Sequence, residues 1–241
     1  MKKSAKKSAL NPGNDSLSHS SNDIEKAVAV LQSGGVIAHP TETIFGLGVA
    51  ANNSKALDKL LEIKSRSKAK GFIVLIPDRT FLFDMVQATS LNSSLVQALM
   101  AKFWPGPLTL VLPALPEVSP RLTGGGGFIA TRHSSSPLVA ELLAAYGGAV
   151  VSTSANRSGG PALLDHHGVK KELGSELGCI IPGSSSESSL ASTVLMVEEK
   201  LNKVSLLRSG AVPIADIKAA LQVVDPLVDL VVHHGAETPP Q

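Results

Sequence analysis

A row of cations occupies alternate positions just before an apolar run in the segment EIKSRSKAKGFIVLI: Lys64, Arg66, Lys68 and Lys70. Side chains two residues apart in an extended segment point the same way, so the spacing predicts that the row lies on one face. A polyphosphate suits such a face, because guanidinium binds phosphate bidentately and ammonium adds point charge. A solvated charge run is the commoner explanation of this spacing. The helix end before the row and the buried strand after it favour a ligand site, because ligands in open α/β sheets bind at strand ends.

The segment VVSTSANRSGGPA carries short polar side chains from the end of a predicted strand into a loop rich in glycine and proline. These side chains are Ser152, Thr153, Ser154 and Asn156. Hydroxyl and amide groups beside exposed backbone N–H groups bind carboxylate, phosphate or ribose oxygens. An ordinary Ser/Asn turn has the same composition, so the segment is either a binding loop or a turn.

A third polar segment, HPTETIFGLG, begins where Pro40 ends a predicted strand. Thr41, Glu42 and Thr43 offer polar groups at this strand exit, and a capped turn is the alternative interpretation. The usual phosphate-binding motifs are absent from the sequence: it has no G-x-x-x-x-G-K-S/T, and its GLG lacks the third glycine of the dinucleotide fingerprint. The run TGGGG is typical of a flexible loop. Any nucleotide must therefore be held by another geometry.

Hydrophobic periodicity predicts the elements that position these groups. Helical spacing begins at Ile24, at Leu57 behind a Ser54 N-cap, at Val96, and at Pro137 as the first helical residue. Short β-branched runs predict the strands VIAH, FIVLI, LTLVL, FIAT, AVVS, STVLMV and VSLL. This alternation predicts an α/β fold rather than a helical bundle or a β-sandwich.

The composition restricts the compartment in which the chain is expected and the class of ligand that it binds. Its 241 residues, 43% of them hydrophobic, can bury one sizeable core. Its apolar runs are much shorter than the roughly 18 residues of a membrane span. A lone cysteine, Cys179, and the lack of zinc-ligand spacing predict a reducing compartment, by default the cytoplasm, and no structural metal. The net charge of +2 is too small for a general nucleic-acid binder, so any basic site is local.

The chain is predicted to carry one domain between two tails. Residues 1–21 are rich in lysine and serine and lack the apolar segment of a secretory signal, which predicts a disordered tail, with a transit peptide as the alternative. Residues 22–221 show neither a repeat nor a break in composition and form the predicted domain. Residues 222–241 are predicted to be a C-terminal tail.

Three further features have less specific interpretations. Phe103 and Trp104 are predicted to pack in the core. The adjacent pairs His166-His167 and His233-His234 are predicted to lie on the surface, because neighbouring side chains diverge. The polar run PGSSSESSLAS is either a lid over a cleft or a simple loop.

Taken in their order along the chain, the motifs resemble the YrdC-type threonylcarbamoyl-AMP synthase family. The resemblance rests on HPTETIFGLG, Lys64-x-Arg66, FWPGPLTLVLPA, ATR ending at Arg132, Ser154-x-Asn156, STV at Ser192 and LLRSGA around Arg208, across residues 22 to 215. It implies a twisted open mixed α/β sheet with flanking helices and a basic concave cleft, and it makes residues 22–221 a YrdC-like catalytic domain. It also implies a nucleotidyltransferase that combines L-threonine, bicarbonate and ATP into threonylcarbamoyl-adenylate and releases pyrophosphate.

The same resemblance implies roles for individual residues. The residues implied around ATP are Lys64, Arg66, Lys70, Ser154, Asn156, Ser192 and Arg208. Of these, Lys64 and Arg66 would be catalytic, by stabilising the charge that builds on the phosphoryl oxygens. The residues implied around threonine are Thr41, Thr43, Arg132 and Ser152, with the Arg132 guanidinium on the carboxylate.

The resemblance also implies partners beyond the two substrates in the cleft. Mg2+ is expected to arrive on the nucleotide, with no metal bound by the protein itself. A downstream transferase complex would move the threonylcarbamoyl group to the adenosine beside the anticodon of certain tRNAs. Contact between this chain and tRNA is therefore a further expectation.

Two segments depart from the family pattern, and both bear on selectivity for threonine. Ser67 stands where relatives often carry proline, and HSSSP, His133 to Pro137, replaces a more usual acidic or histidine-containing segment. Too few residues follow Arg208 for the extra domain of longer relatives, which implies a short single-domain form. Two other interpretations stay open: a relative that makes carbamoyl-adenylate from carbamoyl phosphate, and a non-catalytic RNA-binding module that uses the basic cleft.

Overall fold

The structure of the chain, a computed structural model, describes residues 19–65, 71–185 and 190–232. Its helices are α1 Ser21–Gln32, α2 Ser54–Lys64, α3 Ala88–Leu91, α4 Ser94–Phe103, α5 Pro120–Thr123, α6 Pro137–Tyr146, α7 His166–Leu173 and α8 Ile214–Val224. Its strands are β1 Ile37–His39, β2 Gly46–Ala50, β3 Ile73–Leu75, β4 Leu108–Pro113, β5 Phe128–Arg132, β6 Val150–Ser154, β7 Cys179–Ile180, β8 Thr193–Glu198, β9 Lys203–Arg208 and β10 Asp229–Val232. The described part of the chain has no helix long and apolar enough to cross a membrane.

The strands form one mixed sheet in the order β10-β9-β8-β4-β5-β3-β6-β2-β1-β7. The sheet combines parallel pairs, such as β3 with β5, and antiparallel pairs, such as β3 with β6. The twisted open α/β sheet predicted from the sequence is thereby confirmed. Sequential strands are interleaved in this order, so residues far apart in the chain meet along the middle of the sheet.

Helices cover both faces of the sheet and bury a separate apolar cluster on each. Successive strand residues point to opposite faces, and β3 shows this directly: Val74 belongs to one cluster and Leu75 to the other. The first cluster includes apolar side chains of α2, α4, α7 and α8. The second cluster includes those of α1 and α6. Trp104 packs in the first cluster as predicted, and its indole N–H donates to the Leu108 carbonyl at 2.7 Å.

The end of α2 places the first cation of the predicted row. Asn53, rather than the predicted Ser54, caps the helix, because its side chain accepts a hydrogen bond from the Ala56 N–H. Ser65 adopts a left-handed conformation with φ 48° and ends the helix directly after Lys64. Lys64 is therefore a helical residue, and the prediction of one extended row starting at Lys64 is wrong in that respect. The remaining cations, Arg66, Lys68 and Lys70, lie outside the described residues.

Three strands of the described sheet were not predicted. The strand β2, GLGVA, is buried along its whole length, but its glycines are more typical of turns. The strand β7 has only two residues. The strand β10 lies in the segment predicted as a tail from residue 222 on, yet it pairs in parallel with β9 and packs Leu230 and Val232 against the core. The apolar, β-branched run in DLVV was a strand signal, and α8 also continues past the predicted boundary to Val224.

Candidate active site

A cavity of about 840 Å³ lies across the central strands, at the end where β5 and β6 finish and β2 begins. Every predicted site residue that the structure describes lines this cavity: Thr41, Thr43, Lys64, Arg132, Ser152, Ser154, Asn156, Ser192 and Arg208. The sheet order explains the convergence, because β3, β5 and β6 are neighbours there although they are distant in sequence. Arg66 and Lys70 lie outside the described residues, so their predicted places stay predictions.

Lys64 anchors one end of the cavity, which we call the lysine end and define by Lys64, Ser154 and Asn156. The Lys64 side chain is only 3% exposed, and its ammonium donates to the Ser154 carbonyl at 2.6 Å, to Asn156 Oδ1 at 2.8 Å and to Ser154 Oγ at 3.2 Å. Ser154 Oγ in turn donates to Asn156 Oδ1 at 2.6 Å, and Asn156 Nδ2 donates to the Gly160 carbonyl at 2.5 Å. These three acceptors are a backbone carbonyl, a hydroxyl and an amide oxygen, and they fix the position of the buried ammonium.

The loop after β6 holds the end of α2 at this site. The Ser158 N–H donates to the Lys64 carbonyl at 3.1 Å, and Arg157 Nη1 donates to the Ile63 carbonyl at 3.1 Å. These carbonyls belong to the last turn of a helix, which has no partners for them within the helix. The loop that supplies Ser154 and Asn156 therefore also fixes the backbone that carries Lys64.

A second part of the cavity, which we call the arginine end, is formed by Arg132 and Thr43, together with Glu42, which contacts Arg132 from the neighbouring cavity. Arg132 is 5% exposed, and its guanidinium donates from Nε to the Gly106 carbonyl at 3.2 Å and from Nη1 to Thr43 Oγ1 at 3.2 Å. Its Nη2 lies 2.7 Å from Glu42 Oε1, as an ion pair rather than an aligned hydrogen bond. The positive charge of Arg132 is thus paired with a carboxylate inside the site.

Glu42 is held as an anion by contacts that the sequence did not reveal. Burial raises the pKa of Glu42, but the charge of Arg132 and hydrogen bonds from Ser134 and Ser135 outweigh burial, so its pKa is lowered from the ordinary 4.5. Ser134 Oγ donates to Glu42 Oε2 at 2.5 Å, and the Ser135 N–H donates to Oε1 at 2.9 Å. The HSSSP segment, which departs from the family pattern, is therefore what secures Glu42 beside Arg132.

Thr41 and Thr43 form a directed chain of hydrogen bonds that ends on Arg132. Thr41 Oγ1 must donate to the Ile44 carbonyl, 2.8 Å away, because a carbonyl only accepts. Thr43 Oγ1 lies 2.9 Å from Thr41 Oγ1 and therefore donates to it, while it accepts from Arg132 Nη1. Both hydroxyl protons are thus used inside the protein, and the two threonines orient the guanidinium.

Ser152 lies beside the arginine end and contacts a buried histidine. Its Oγ is 3.3 Å from Nε2 of His39, whose Nδ1 is 3.3 Å from the Pro40 carbonyl. Burial lowers the pKa of His39 from 6.5 to about 4, and the nearby charge of Arg132 lowers it too, against raising effects of the Pro40 hydrogen bond and Glu42. A Cβ at Gly46 would lie 2.6 Å from Ser152 Oγ, so only glycine leaves room for this pair.

Another side of the cavity, which we call the third wall, is formed by Ser192, just before β8, and Arg208, the last residue of β9. Arg208 donates from Nε and Nη2 to the Ser192 carbonyl at 3.0 and 2.8 Å, and from Nη2 to Ser192 Oγ at 2.9 Å. Ser192 Oγ also lies 2.8 Å from Thr109 Oγ1 on β4. A Cβ at Gly210 would lie 2.3 Å from the Ala191 carbonyl, so glycine is required where the chain folds back past Ser192. These contacts fix the Arg208 guanidinium at the edge of the cavity.

Some site residues were missed from the sequence. Apolar side chains complete the cavity lining, namely Ile44, Ile73, Leu75, Val194 and Leu207. Glu42 was noted only as a polar group at a strand exit, and His39 was counted as part of a strand. The signal that could have singled out His39 is a histidine inside an otherwise apolar strand, where burial requires a partner.

A second cavity of about 770 Å³ lies behind Thr41 and Glu42 and includes His166 and His167. His167 is exposed as predicted, whereas His166 is half-buried, with its Nδ1 3.1 Å from the Gly183 carbonyl. Within residues 19–65, 71–185 and 190–232, no group of three or more His, Cys, Asp or Glu side chains could hold a metal ion.

The chain is similar in sequence and in fold to several known proteins. A family model described as "Telomere recombination", for the Sua5, YciO and YrdC proteins, matches residues 29–210. The threonylcarbamoyl-AMP synthase of Nitrosococcus oceani is 37% identical over 66% of this chain and 85% of its own length. That of Bacillus subtilis is 35% identical over 86% of this chain and 59% of its own length. A crystal structure of P. abyssi Sua5 complexed with L-threonine superposes with a TM-score of 0.78 and 29% identity, over 87% of this chain and 58% of that one.

Proposed function

The chain belongs to the Sua5/YciO/YrdC family, whose model matches residues 29–210, and on that basis we propose that it makes L-threonylcarbamoyl-adenylate from L-threonine, bicarbonate and ATP. The observation that carries the proposal is a single cavity with a positively charged lysine end and a charge-paired arginine end. A polyanion and a small zwitterion are the ligands that these two ends suit. The relatives named threonylcarbamoyl-AMP synthase support the same reaction.

The lysine end is the proposed site of the ATP phosphates. The buried ammonium of Lys64 lines the cavity and is held in place by Ser154 and Asn156, and an ammonium group there would attract phosphoryl oxygens. Ser154 and Asn156 would orient that ammonium, and Ser192 and Arg208 would contact the nucleotide from the third wall. Arg66 and Lys70 are proposed as further phosphate ligands on the sequence resemblance alone. Mg2+ would enter on the triphosphate, because it prefers phosphate oxygens and water to a dedicated protein cage.

The arginine end is the proposed site of threonine. Arg132 keeps N–H donors beyond its contacts to Gly106, Thr43 and Glu42, and these can bind the substrate carboxylate. Thr41 and Thr43 would act on threonine through Arg132, whose position they fix, and Ser152 would contact the substrate directly. The crystal structure of P. abyssi Sua5 is a complex with L-threonine, which supports an amino-acid site in this fold.

The proposed reaction has two steps, carbamate formation and adenylate formation. The neutral amine of threonine attacks the carbon of bicarbonate and forms a carbamate, with loss of water. A carbamate oxygen then attacks the α-phosphorus of ATP, the bond to the β-phosphate oxygen breaks, and pyrophosphate leaves with the electron pair. Negative charge grows on phosphoryl oxygens in the second step, where Lys64 and Arg66 would stabilise it. Positioning and electrostatics suffice, so no protein base is required at phosphorus.

The wider setting of the reaction is also a proposal. The product would be consumed by a transferase that carries the threonylcarbamoyl group to tRNA, and a direct contact of this chain with tRNA is part of that expectation. The cytoplasm is the proposed compartment, because the sequence has a single cysteine and the reaction requires ATP and tRNA.

The test is pyrophosphate release by the purified chain with ATP, Mg2+ and bicarbonate. We expect release that depends on L-threonine and is much slower with L-serine. Release that is supported instead by carbamoyl phosphate without threonine would point to a carbamoyl-adenylate-forming enzyme. Salt-dependent tRNA binding without any release would contradict the proposed reaction and favour an RNA-binding module.

A further inference from the structure

The direction of the hydrogen bonds around His39 follows from the groups that it contacts. The Pro40 carbonyl only accepts, so the His39 Nδ1 that lies 3.3 Å from it must carry the proton. With a pKa of about 4, the buried ring is neutral at physiological pH, and Nε2 then has a lone pair. Ser152 Oγ, 3.3 Å from Nε2, must therefore donate its hydroxyl proton to His39.

This direction determines what Ser152 offers to a ligand. Ser152 lines the cavity, and the described hydrogen bonds give its Oγ one partner, His39 Nε2. Because the hydroxyl proton points into the protein, the side of Oγ that faces the cavity carries lone pairs. The ligand group at Ser152 is therefore a hydrogen-bond donor.

The neighbouring hydroxyls show the same polarity. Thr41 donates to the Ile44 carbonyl and Thr43 donates to Thr41, so neither directs a hydroxyl proton into the cavity. Donors at this end come from Arg132. A ligand that fits has an anionic group for the guanidinium and an N–H group for the lone pairs of Ser152, as an α-amino acid does.

We propose that His39 is a positioning residue that turns the Ser152 hydroxyl inward, so that Ser152 Oγ accepts a hydrogen bond from the substrate amine. This inference rests on the proposed function, in which threonine binds at the arginine end. The contact orients the amine nitrogen, whose own lone pair must remain free to attack bicarbonate. The contact between His39 and Ser152 also requires Gly46, because a side chain there would collide with Ser152 Oγ.

Two substitutions of His39 separate its two hydrogen bonds. In His39→Gln, the side-chain oxygen can take the place of Nε2 and accept from Ser152. In His39→Asn, the shorter amide can replace Nδ1 and donate to Pro40, but it leaves Ser152 without an acceptor. The readouts are the Kd of L-threonine, the Kd of a non-hydrolysable ATP analogue, and the Ki of (R)-3-hydroxybutyrate, which is threonine without its amine.

We expect His39→Asn to weaken threonine binding roughly ten-fold, as loss of one oriented hydrogen bond to an amine would. The Ki of (R)-3-hydroxybutyrate and the Kd of the ATP analogue should change less than about two-fold, and His39→Gln should restore threonine binding to within about three-fold. If His39→Asn does not fold, as its melting curve would show, Ser152→Ala provides the same selective test without changing the histidine.

Two results would overturn the inference. Equal losses for threonine and (R)-3-hydroxybutyrate would mean that His39 only supports the structure, and threonine binding by His39→Asn at wild-type affinity would mean that the hydroxyl direction has no role. Failure of the wild-type chain to bind threonine at all is a different outcome, because it would overturn the proposed function together with this inference.

Discussion

The two ends of the cavity differ in the groups that contact their buried cations. At the lysine end, the Lys64 ammonium donates to carbonyl, hydroxyl and amide oxygens of Ser154 and Asn156. At the arginine end, Arg132 is equally buried but is paired with Glu42, so that charge is cancelled. Under the proposed function, the Lys64 ammonium would attract a polyphosphate, whereas the arginine end would select a small zwitterion by the directions of its hydrogen bonds. Charge and geometry would then be divided between the two substrates.

Removing the charge at the lysine end should have the largest effect. Lys64→Met keeps the apolar stem and loses the ammonium, and we expect kcat/KM to fall by more than about 100-fold, because a buried cation acts directly on the developing phosphoryl charge. Lys59→Met is the matched control, since Lys59 is exposed on the same helix. The sequence resemblance predicts a loss of more than about 2 kcal/mol of transition-state stabilisation for Arg66→Ala as well. Near-normal turnover by a folded Lys64→Met would refute this assignment.

Replacing the guanidinium of Arg132 at the arginine end should have the next largest effect. Arg132→Lys keeps the charge but cannot reach Gly106, Thr43 and Glu42 together, so we expect the KM for threonine to rise roughly 30-fold, about 2 kcal/mol, with a lower melting temperature. The KM for ATP should change little. Arg121→Lys is the control, because Arg121 forms an exposed pair with Asp58 and should stay within about 0.5 kcal/mol of the wild type. A matching rise in both KM values would mean that the two ends are not independent.

The buried histidine beside the arginine end predicts a pH dependence of stability. The pKa of His39 falls from 6.5 to about 4 on folding, so between these values the unfolded chain binds more protons and stability falls as the pH drops. The difference amounts to about 2 kcal/mol between pH 7 and pH 5. Chemical denaturation of wild type and His39→Gln at both pH values measures it, and the variant should lose less stability than the wild type. Equal losses in both proteins would contradict the neutral state of His39.

The third wall should show the smallest effect. Ser192→Ala removes the hydroxyl that contacts Arg208 and Thr109, but Arg208 keeps the Ser192 carbonyl, so we expect the KM for ATP to rise by about five-fold, near 1 kcal/mol. Ser209→Ala is the control, because Ser209 Oγ is buried with no hydrogen-bond partner among the described residues. An unchanged KM for ATP in Ser192→Ala would remove Ser192 from the proposed nucleotide contacts.

The sequence predicted the fold class well because periodicity is a local property. The α/β alternation, Pro137 as the first residue of α6, and the strands with β-branched residues all leave a local signal. The strands β2 and β7 leave almost none, one because it contains glycines that also occur in turns and the other because it is two residues long. The boundary of α2 also differed by one residue, since Asn53 and Ser54 are both good caps.

The site could be predicted only where family resemblance supplied the pairing. Lys64 and Asn156 are 92 residues apart, and no spacing rule brings them together. The resemblance did so, although it assigned no role to Glu42 or His39, which lie within its HPTETIFGLG motif. Their roles depend on Ser134, 92 residues from Glu42, and on Ser152, 113 residues from His39. Such contacts become visible only when the sheet order is known.

The proposed division of the cavity can be tested by calorimetric titrations of wild type, Lys64→Met and Arg132→Lys, each with a non-hydrolysable ATP analogue and with L-threonine. We expect a crossed pattern, in which Lys64→Met loses the analogue and keeps threonine, while Arg132→Lys loses threonine and keeps the analogue. Loss of both ligands in each variant, with melting temperatures that show intact folding, would contradict a cavity divided into a phosphate end and an amino-acid end.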